Sequence, residues 1–476
     1  MSKLYFIGIG GTAMGAVALA CRELGHEVSG SDANVYPPMS DFLSLSGIKY
    51  YEGFSPSNIQ SASPDTIVVG NSVSRGNPEL EYCLNERFPL VSMPDIVREF
   101  LIARHTSIVI TGTHGKTTTS SITAWLLETG ELNPGFLIGG IPGNFTQGCR
   151  PVQTVTPDNP IGYFVSEGDE YDTAFFDKRS KFLLYRPDIG VLNNIEFDHA
   201  DIFSSLDDIK KSFRLFVRLI PQNGLLLVAN EDANCLEIAK SALTTIETFG
   251  VEKGSFWRAV DVHYSETGTS FTLHKNGKIL GRFSITLLGE HNLKNSIAAI
   301  AIAFTVGLTA EQIQLGFNSF KLPKRRLETI GTWHGAMVID DFAHHPTAIT
   351  ETLKALRQKF PQKRIIACFE PRSNSTTRNI FQHELTECFN EANVVVIGAL
   401  NRPERYPENE RLDTESIANS LRAAGKKVLT IPAEQGAEAN WGKYVLAYLE
   451  QIIDSNDVII LLSNGDFGGL RKMLVV

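Results

Sequence analysis

Cysteine is scarce in this sequence, no apolar run is long enough to span a membrane, and positive charge is not in excess. The six cysteines among 476 residues (Cys21, Cys83, Cys149, Cys235, Cys368 and Cys388) form no C-x-x-C pair. That scatter excludes a disulfide scaffold and a cysteine-ligated zinc module, and the six are expected to be buried thiols. The closest candidate for a membrane span, SIAAIAIAFTVGL, is too short to cross a bilayer and reads as a buried helix. A net charge of −9 gives no global basic field, so neither nucleic acid nor membrane insertion is expected. The opening MSKLYFIGIGG enters a strand without the apolar stretch and cleavage site of a signal peptide, and a cytoplasmic protein is expected.

What is present is repeated alternation of strand and helix patterns. The length exceeds what one hydrophobic core supports. Short apolar strands such as LYFIGIGG, SIVIT, DIGVLNNIEF, AMVIDDF, RIIACFEP and DVIILLSNG alternate with helical stretches such as TAMGAVALACRELG and PTAITETLKALRQKF. Apolar strands in that order imply parallel sheets covered on both faces. The expected fold class is α/β with three domains, 1–104, 105–322 and 323–476.

Two glycine turns follow strands. GIGGTA, Gly8 to Ala13, matches G-x-G-x-x-G/A, and Asp32 ends the next strand, where a dinucleotide fold puts its ribose-binding carboxylate. Read alone, this turn suggests NAD; the physics of close backbone N–H groups at a helix start suits any diphosphate. The second turn, GTHGKTT from Gly112 to Thr118, is a phosphate cradle shorter than G-x-x-x-x-G-K-[ST], because Ile110 stands where the first glycine belongs. Gly112 and Gly115 let backbone N–H groups approach phosphate oxygens, Lys116 can reach the β and γ oxygens, and the Thr117 hydroxyl can ligate Mg2+. Taken singly, these are a turn glycine, a solvated lysine and a capping threonine; the strand–loop–helix context joins them into one site.

Further candidates stand at strand ends. SEGDEYD offers Glu167, Asp169 and Glu170, and NNIEFDHADIF offers His199, as groups that hold or orient Mg2+, with Glu167 and Glu170 both open as the metal ligand. No cysteine and no H-x-x-x-H pair accompanies them, which disfavours zinc. GEHNLKN places Asn292 and Asn295 on one face of a helix start. KRRLE and DDFAHHP bring Arg325, Arg326, Asp341, His344 and His345 towards a joint between domains.

Together, a diphosphate turn, a G-T-x-G-K-T loop, a strand-end glutamate, a D-H pair, an H-N-x-x-N helix start and a D-D-[FY]-x-H-H-P strand end resemble the Mur ligase family over Gly8 to Gly469. The resemblance implies a Rossmann-like N-terminal domain, a central P-loop ATPase-like domain and a Rossmann-like C-terminal domain. It implies an ATP-dependent amide ligase of peptidoglycan metabolism with ATP and Mg2+ as cofactors, acting as a monomer or weak homodimer. By the same resemblance, Gly112, Thr113, His114, Gly115, Lys116, Thr117 and Thr118 hold the ATP phosphates, Thr117 and Glu167 one Mg2+, and His199 a second. Asn292 and Asn295 correspond to adenine-side residues, and Arg326 and Asp341 to groups reaching phosphate and ribose. The NAD-like turn becomes the UDP end of the substrate site: Gly10, Gly11, Thr12, Met14 and Asp32. Lys116, Glu167 and His199 are the expected catalytic residues.

Two branches of the family fit. One adds L-alanine to UDP-N-acetylmuramate in de novo synthesis. The other adds the murein tripeptide L-alanyl-γ-D-glutamyl-meso-diaminopimelate in recycling. The phrases GSDANVYPPMS, RGNP, PGNF, EYDTAFFDKRSKF, FDHADIF, EPRSN and SNGDFGG resemble the second branch, and the first has a shorter stretch where FFDKRSKFLLYRPD stands. Arg372, Ser373, Asn374 and Asn464 are the expected tripeptide contacts. Relatives that carry a carbamylated lysine place it where Arg214 stands here, with Lys210 and Lys211 shifted from that position, so no carbamate ligand is expected.

Overall fold

Strand Lys3–Ile7 is buried from its second residue onward, and that run of apolar side chains can only sit inside a sheet with both faces covered. In the computed structural model, which describes residues 1–35, 39–153 and 161–475, it is the middle of five parallel strands. Residues 36–38 of the phrase GSDANVYPPMS lie outside the described residues. Lys3–Ile7 is flanked by Glu27–Asp32 on one side and Thr66–Val69 on the other, so the strand order reverses at its C-terminal end. That end opens into the first glycine turn, the place where open parallel sheets leave a crevice.

A second sheet has ten strands, with Thr106–Thr111 between Ile189–Leu192 and Tyr163–Gly168, all parallel. Its register sets Ile110 beside Glu167 and Thr111 beside Leu192, so the phosphate loop, Glu167 and Asn193 emerge together from adjacent strand ends. Helix Glu290–Thr305, hydrophobic on nearly all sides, is buried from Asn292 through Ala303 apart from Lys294. The expectation of parallel strands fails at both edges: Cys149–Arg150 pairs antiparallel with Gly135–Leu137 at one, and Trp257–Ser265, Gly268–Lys275 and Lys278–Ile285 form an antiparallel meander at the other. In the meander the cause is local. Asn276 and Gly277 both have positive φ, 47° and 78°, the two-residue turn that returns a chain on itself.

The third sheet has six strands, parallel except for Glu328–Trp333 at one edge. Strands Ala336–Asp341, Asp457–Leu462 and Arg364–Phe369 are neighbours, and their C-terminal ends carry Asp341, Ser463 and Glu370 towards the central sheet. The three sheets agree with the expected three-domain α/β class. The lobes are packed together: an apolar cluster containing Val17, Leu101, Leu137, Cys149 and Phe182 runs from the first sheet into the second. Phe197 packs against the core of the third. All six cysteines are buried free thiols, as expected, and no described helix is long and apolar enough to cross a membrane.

Candidate functional site

The phosphate loop is held open from behind. Gly112 has φ 139°, and a Cβ there would lie 2.9 Å from Asn193 Cβ, so only glycine fits. Asn194 accepts from the Thr113 N–H through its carbonyl (3.0 Å) and from the His114 N–H through Oδ1 (2.7 Å). Helix Lys116–Thr129 starts at Gly115 without a side-chain cap, which leaves its first N–H groups for an anion. Lys116 Nζ donates to the carbonyls of Gly112 (2.6 Å) and Thr113 (3.2 Å) and to Glu170 Oε2 (2.8 Å). Its side chain is 12% exposed and that of Glu170 2%.

Around this lysine the charges are ordered. Burial works against the charge on both partners, yet each raises the other's charged fraction: Lys116 is pushed above its ordinary pKa and Glu170 below its own. His199 Nε2 lies 3.2 Å from Glu170 Oε1. Burial disfavours its protonation, but the bond to Glu170 and that carboxylate's charge raise its pKa. His199 is in the left-handed region, φ 54°, a backbone strain typical of residues aimed into a site. Glu167 differs: burial dominates and pushes its carboxyl above the ordinary range, against Lys116 and the N–H of Gly139. It accepts from the Thr117 hydroxyl at 2.8 Å and from Gly139 N–H at 2.7 Å. A half-buried carboxylate beside a threonine hydroxyl is the hard-oxygen donor pair that suits Mg2+.

The third lobe closes on this loop. Arg326 Nη2 donates to Thr117 Oγ1 at 3.3 Å and lies over the Phe342 ring. Ser375 donates to Asp198 Oδ1 at 2.7 Å, and Asp198 also accepts from the His199 N–H, so the histidine loop is braced from across the joint. His345 caps helix Pro346–Lys359 by accepting from Thr347 N–H at Nδ1 and donates from Nε2 to the Phe197 carbonyl at 3.2 Å. His114 Nε2 lies 2.9 Å and His345 Nδ1 3.4 Å from Glu196 Oε2, so this carboxylate ties the two histidines of the joint together.

Other expected residues take different places. Asn292 and Asn295 are buried, 4% and 6% exposed. Asn295 Oδ1 accepts from Thr119 behind the loop, while the Asn292 amide donates to Leu288 O and its Oδ1 accepts from Asn295 Nδ2. Thr118 is buried behind the loop. Asp341 spends both oxygens on the backbone N–H groups of Leu327 and Ala343, fixing the turn that carries Arg326. Asp32 likewise accepts from Gly10 and Ala33 N–H and turns onto its own glycine loop. Gly11, Thr12 and Met14 line a cavity of about 560 Å³ between the first and central lobes. Arg372 lies 3.4 Å from Glu370, Ser373 bonds to Thr376, Asn374 accepts from Tyr406, and Asn464 Oδ1 is buried without a partner. Lys210 and Arg214 both pair with Glu237 of the neighbouring helix Ala233–Ala239, and Lys211 pairs with Asp208.

Sequence reasoning passed over Asn193, Asn194, Glu196 and Ser375, and used Asp198 only as half of the D-H pair. The first three stand in the NNIEFDH phrase with His199; their signal was proximity to that histidine. Ser375 carried no signal, because its partner is 177 positions away.

The brace at His345 makes stability depend on pH. Burial, with the nearby His114, holds its pKa below the ordinary value. Below pH ~6.5 the unfolded chain takes up a proton that the folded chain refuses, so stability present at neutral pH is lost on acidification, by up to about 1.4 kcal/mol per unit from this one group. Asparagine also caps helices but does not titrate. His345→Asn will therefore show a smaller drop in melting midpoint between pH 7 and pH 5 than the wild type; an equal drop would remove His345 from the acid response.

Comparison with known proteins agrees with this geometry. The Mur ligase family catalytic domain model matches residues 3–105, the Mur ligase middle domain 110–303, and the Mur ligase glutamate ligase domain 325–465. The UDP-N-acetylmuramate–L-alanyl-γ-D-glutamyl-meso-2,6-diaminoheptandioate ligase of Escherichia coli (strain K12) is 37% identical over 99% of this chain and 97% of its own. The crystal structure of a murein peptide ligase from Psychrobacter arcticus 273-4 superposes with a TM-score of 0.73 at 33% identity, over 100% of this chain and 98% of that one. The UDP-N-acetylmuramate–L-alanine ligase of Geobacter sp. (strain M21) is 30% identical over 98% of this chain and 95% of its own. With a loop, a carboxylate cluster and a bracing third lobe in one cleft, and with relatives matched along the whole chain, the chain belongs to the Mur ligase family of ATP-dependent, amide-forming ligases.

Proposed function

We propose that the chain joins the lactyl carboxylate of UDP-N-acetylmuramate to the free amine of L-alanyl-γ-D-glutamyl-meso-diaminopimelate, at the expense of ATP, in cytoplasmic peptidoglycan recycling. The observation that carries this reading is the meeting of Thr117, on the phosphate loop, with both Glu167 of the central lobe and Arg326 of the third lobe. A nicotinamide enzyme would leave that meeting without purpose.

The lactyl carboxylate attacks the γ-phosphoryl of ATP and ADP leaves, giving an acyl phosphate. The amine then attacks the carbonyl, phosphate is expelled, and the nitrogen gives up a proton. The difficulty of the first step is electrostatic, since an anion approaches a polyanion. Lys116 and the loop N–H groups oppose that repulsion where charge moves in the transition state. Arg326 adds positive charge once the third lobe is closed. Thr117 and Glu167, with His199 nearby, would hold Mg2+, which when bound neutralises phosphate oxygens. Closure of the lobes brings the amine to the carbonyl and keeps water from the acyl phosphate. In this reading 1–104 takes the muramyl nucleotide, 105–322 ATP, and 323–476 the peptide through Arg372, Ser373, Asn374 and Asn464.

Greater identity to the tripeptide-adding relative than to the Geobacter L-alanine-adding one, 37% against 30%, supports the tripeptide. In an ADP-release assay with UDP-N-acetylmuramate, the tripeptide will give the higher kcat/KM. Preference for free L-alanine would transfer the chain to the other branch.

A further inference from the structure

The stretch FFDKRSKF has no part in the mechanism above. Most of it folds as a small antiparallel hairpin, Asp172–Ala174 with Asp177–Ser180, next to the loop that bears Glu170. The hairpin and its flanks face the first glycine turn across the cavity of about 560 Å³, which has Gly11, Thr12 and Met14 on one wall and Tyr171, Lys178 and Lys181 on the other. The volume is that of a small-molecule site. Lys178 and Lys181 are the two cations among its lining residues, and both stand on the wall opposite the turn.

On the turn side the positive potential comes from helix Thr12–Glu23, which begins at Gly11 with no side-chain cap. A helix start supplies the equivalent of about half a charge, and a diphosphate carries more than that. The rest must come from elsewhere, and the two lysines are placed to supply it. At present each is held by a carboxylate at 2.6 Å, Lys178 by Asp172 and Lys181 by Asp169. The Lys178 side chain is 69% exposed and free to swing, whereas that of Lys181 is 15% exposed and already fixed beside the Tyr171 ring.

We propose that Lys178 and Lys181 form the second wall of the diphosphate subsite for the muramyl nucleotide, exchanging their carboxylate partners for phosphate oxygens when it binds. The inference rests on the proposed function, because the cavity is read as the site of UDP-N-acetylmuramate. The hairpin thus closes the substrate site from the central lobe, as a binding feature and not a loop ornament.

Titration calorimetry with UDP-N-acetylmuramate and, separately, with ADP tests this. In the Lys178→Met, Lys181→Met double variant the muramyl nucleotide will bind about 10- to 100-fold more weakly, the range expected for charge-assisted bonds, and ADP binding will be unchanged. Asp172→Asn frees Lys178 from its competitor and will bind the muramyl nucleotide at least as tightly as the wild type. If the lysines only brace the hairpin, Asp172→Asn will weaken binding as Lys178→Met does, and that result overturns the proposal. Equal affinity of double variant and wild type overturns it too, while leaving the proposed function intact. A wild type that fails to bind UDP-N-acetylmuramate overturns the proposed function itself and the inference with it.

Discussion

Lys116→Ala will lower turnover by at least about 100- to 1,000-fold, the cost of ~3–4 kcal/mol for losing one preorganised charge at the reacting phosphate. The side chain is pinned at both ends of its reach. Gly112 and Thr113 carbonyls hold the ammonium at the mouth of the loop, and Glu170 holds it from the side. In the proposed reaction it therefore meets the γ-phosphoryl without first losing side-chain freedom, which is what makes its expected contribution large. The same pairing raises its pKa, so it stays charged across any working pH, and no part of the loss will be recovered by acidification. Truncation leaves Glu170 buried with only His199 beside it, and breaking one side of a buried ion pair costs stability as well. Turnover must therefore be read at a temperature where melting shows the variant folded, with ADP titration as a second reading. A folded variant with near-normal amide formation would falsify the role of this lysine.

How much of this was legible before the structure differs by residue type. The glycine loop was readable because Gly112 and Gly115 have no substitute: a Cβ at either position meets Asn193 or Asn295, and that intolerance is written directly in the sequence. Glu167 was readable because it ends an apolar strand, and parallel register alone then sets it beside the loop. Asp32 and Asp341 were less so. Each ends a strand where a ligand-binding carboxylate belongs, yet each uses one oxygen on a backbone N–H just after it, Ala33 or Ala343, and the other on a loop earlier in the chain, Gly10 or Leu327. Strand position shows where a carboxylate stands and not which way it turns. Asn292 and Asn295 carry the same lesson on a helix: i, i+3 spacing put them on one face, but that face is the buried one behind the loop. Contacts across the joint, Ser375 with Asp198 and Arg326 with Thr117, had no periodic trace, since they depend on how whole lobes meet.

Glu167→Gln separates what this carboxylate does for catalysis from what it does for folding. Burial raises its pKa, so the ionised form is held in place at a cost to the folded state. Glutamine removes that cost and keeps the shape: its carbonyl oxygen can accept from Gly139 N–H, and its amide can donate to a rotated Thr117 hydroxyl. The melting midpoint at pH 7 will consequently stay level or rise. Activity will move the other way, by about 100- to 1,000-fold in turnover, with more Mg2+ needed for half-maximal rate, because an amide is a far weaker ligand for a hard cation than a carboxylate. A variant that is less stable and normally active at low Mg2+ would mean that Glu167 serves as a brace for Gly139 and Thr117. Stability bought back while catalysis is lost is the pattern of a residue kept in a strained state for its chemistry.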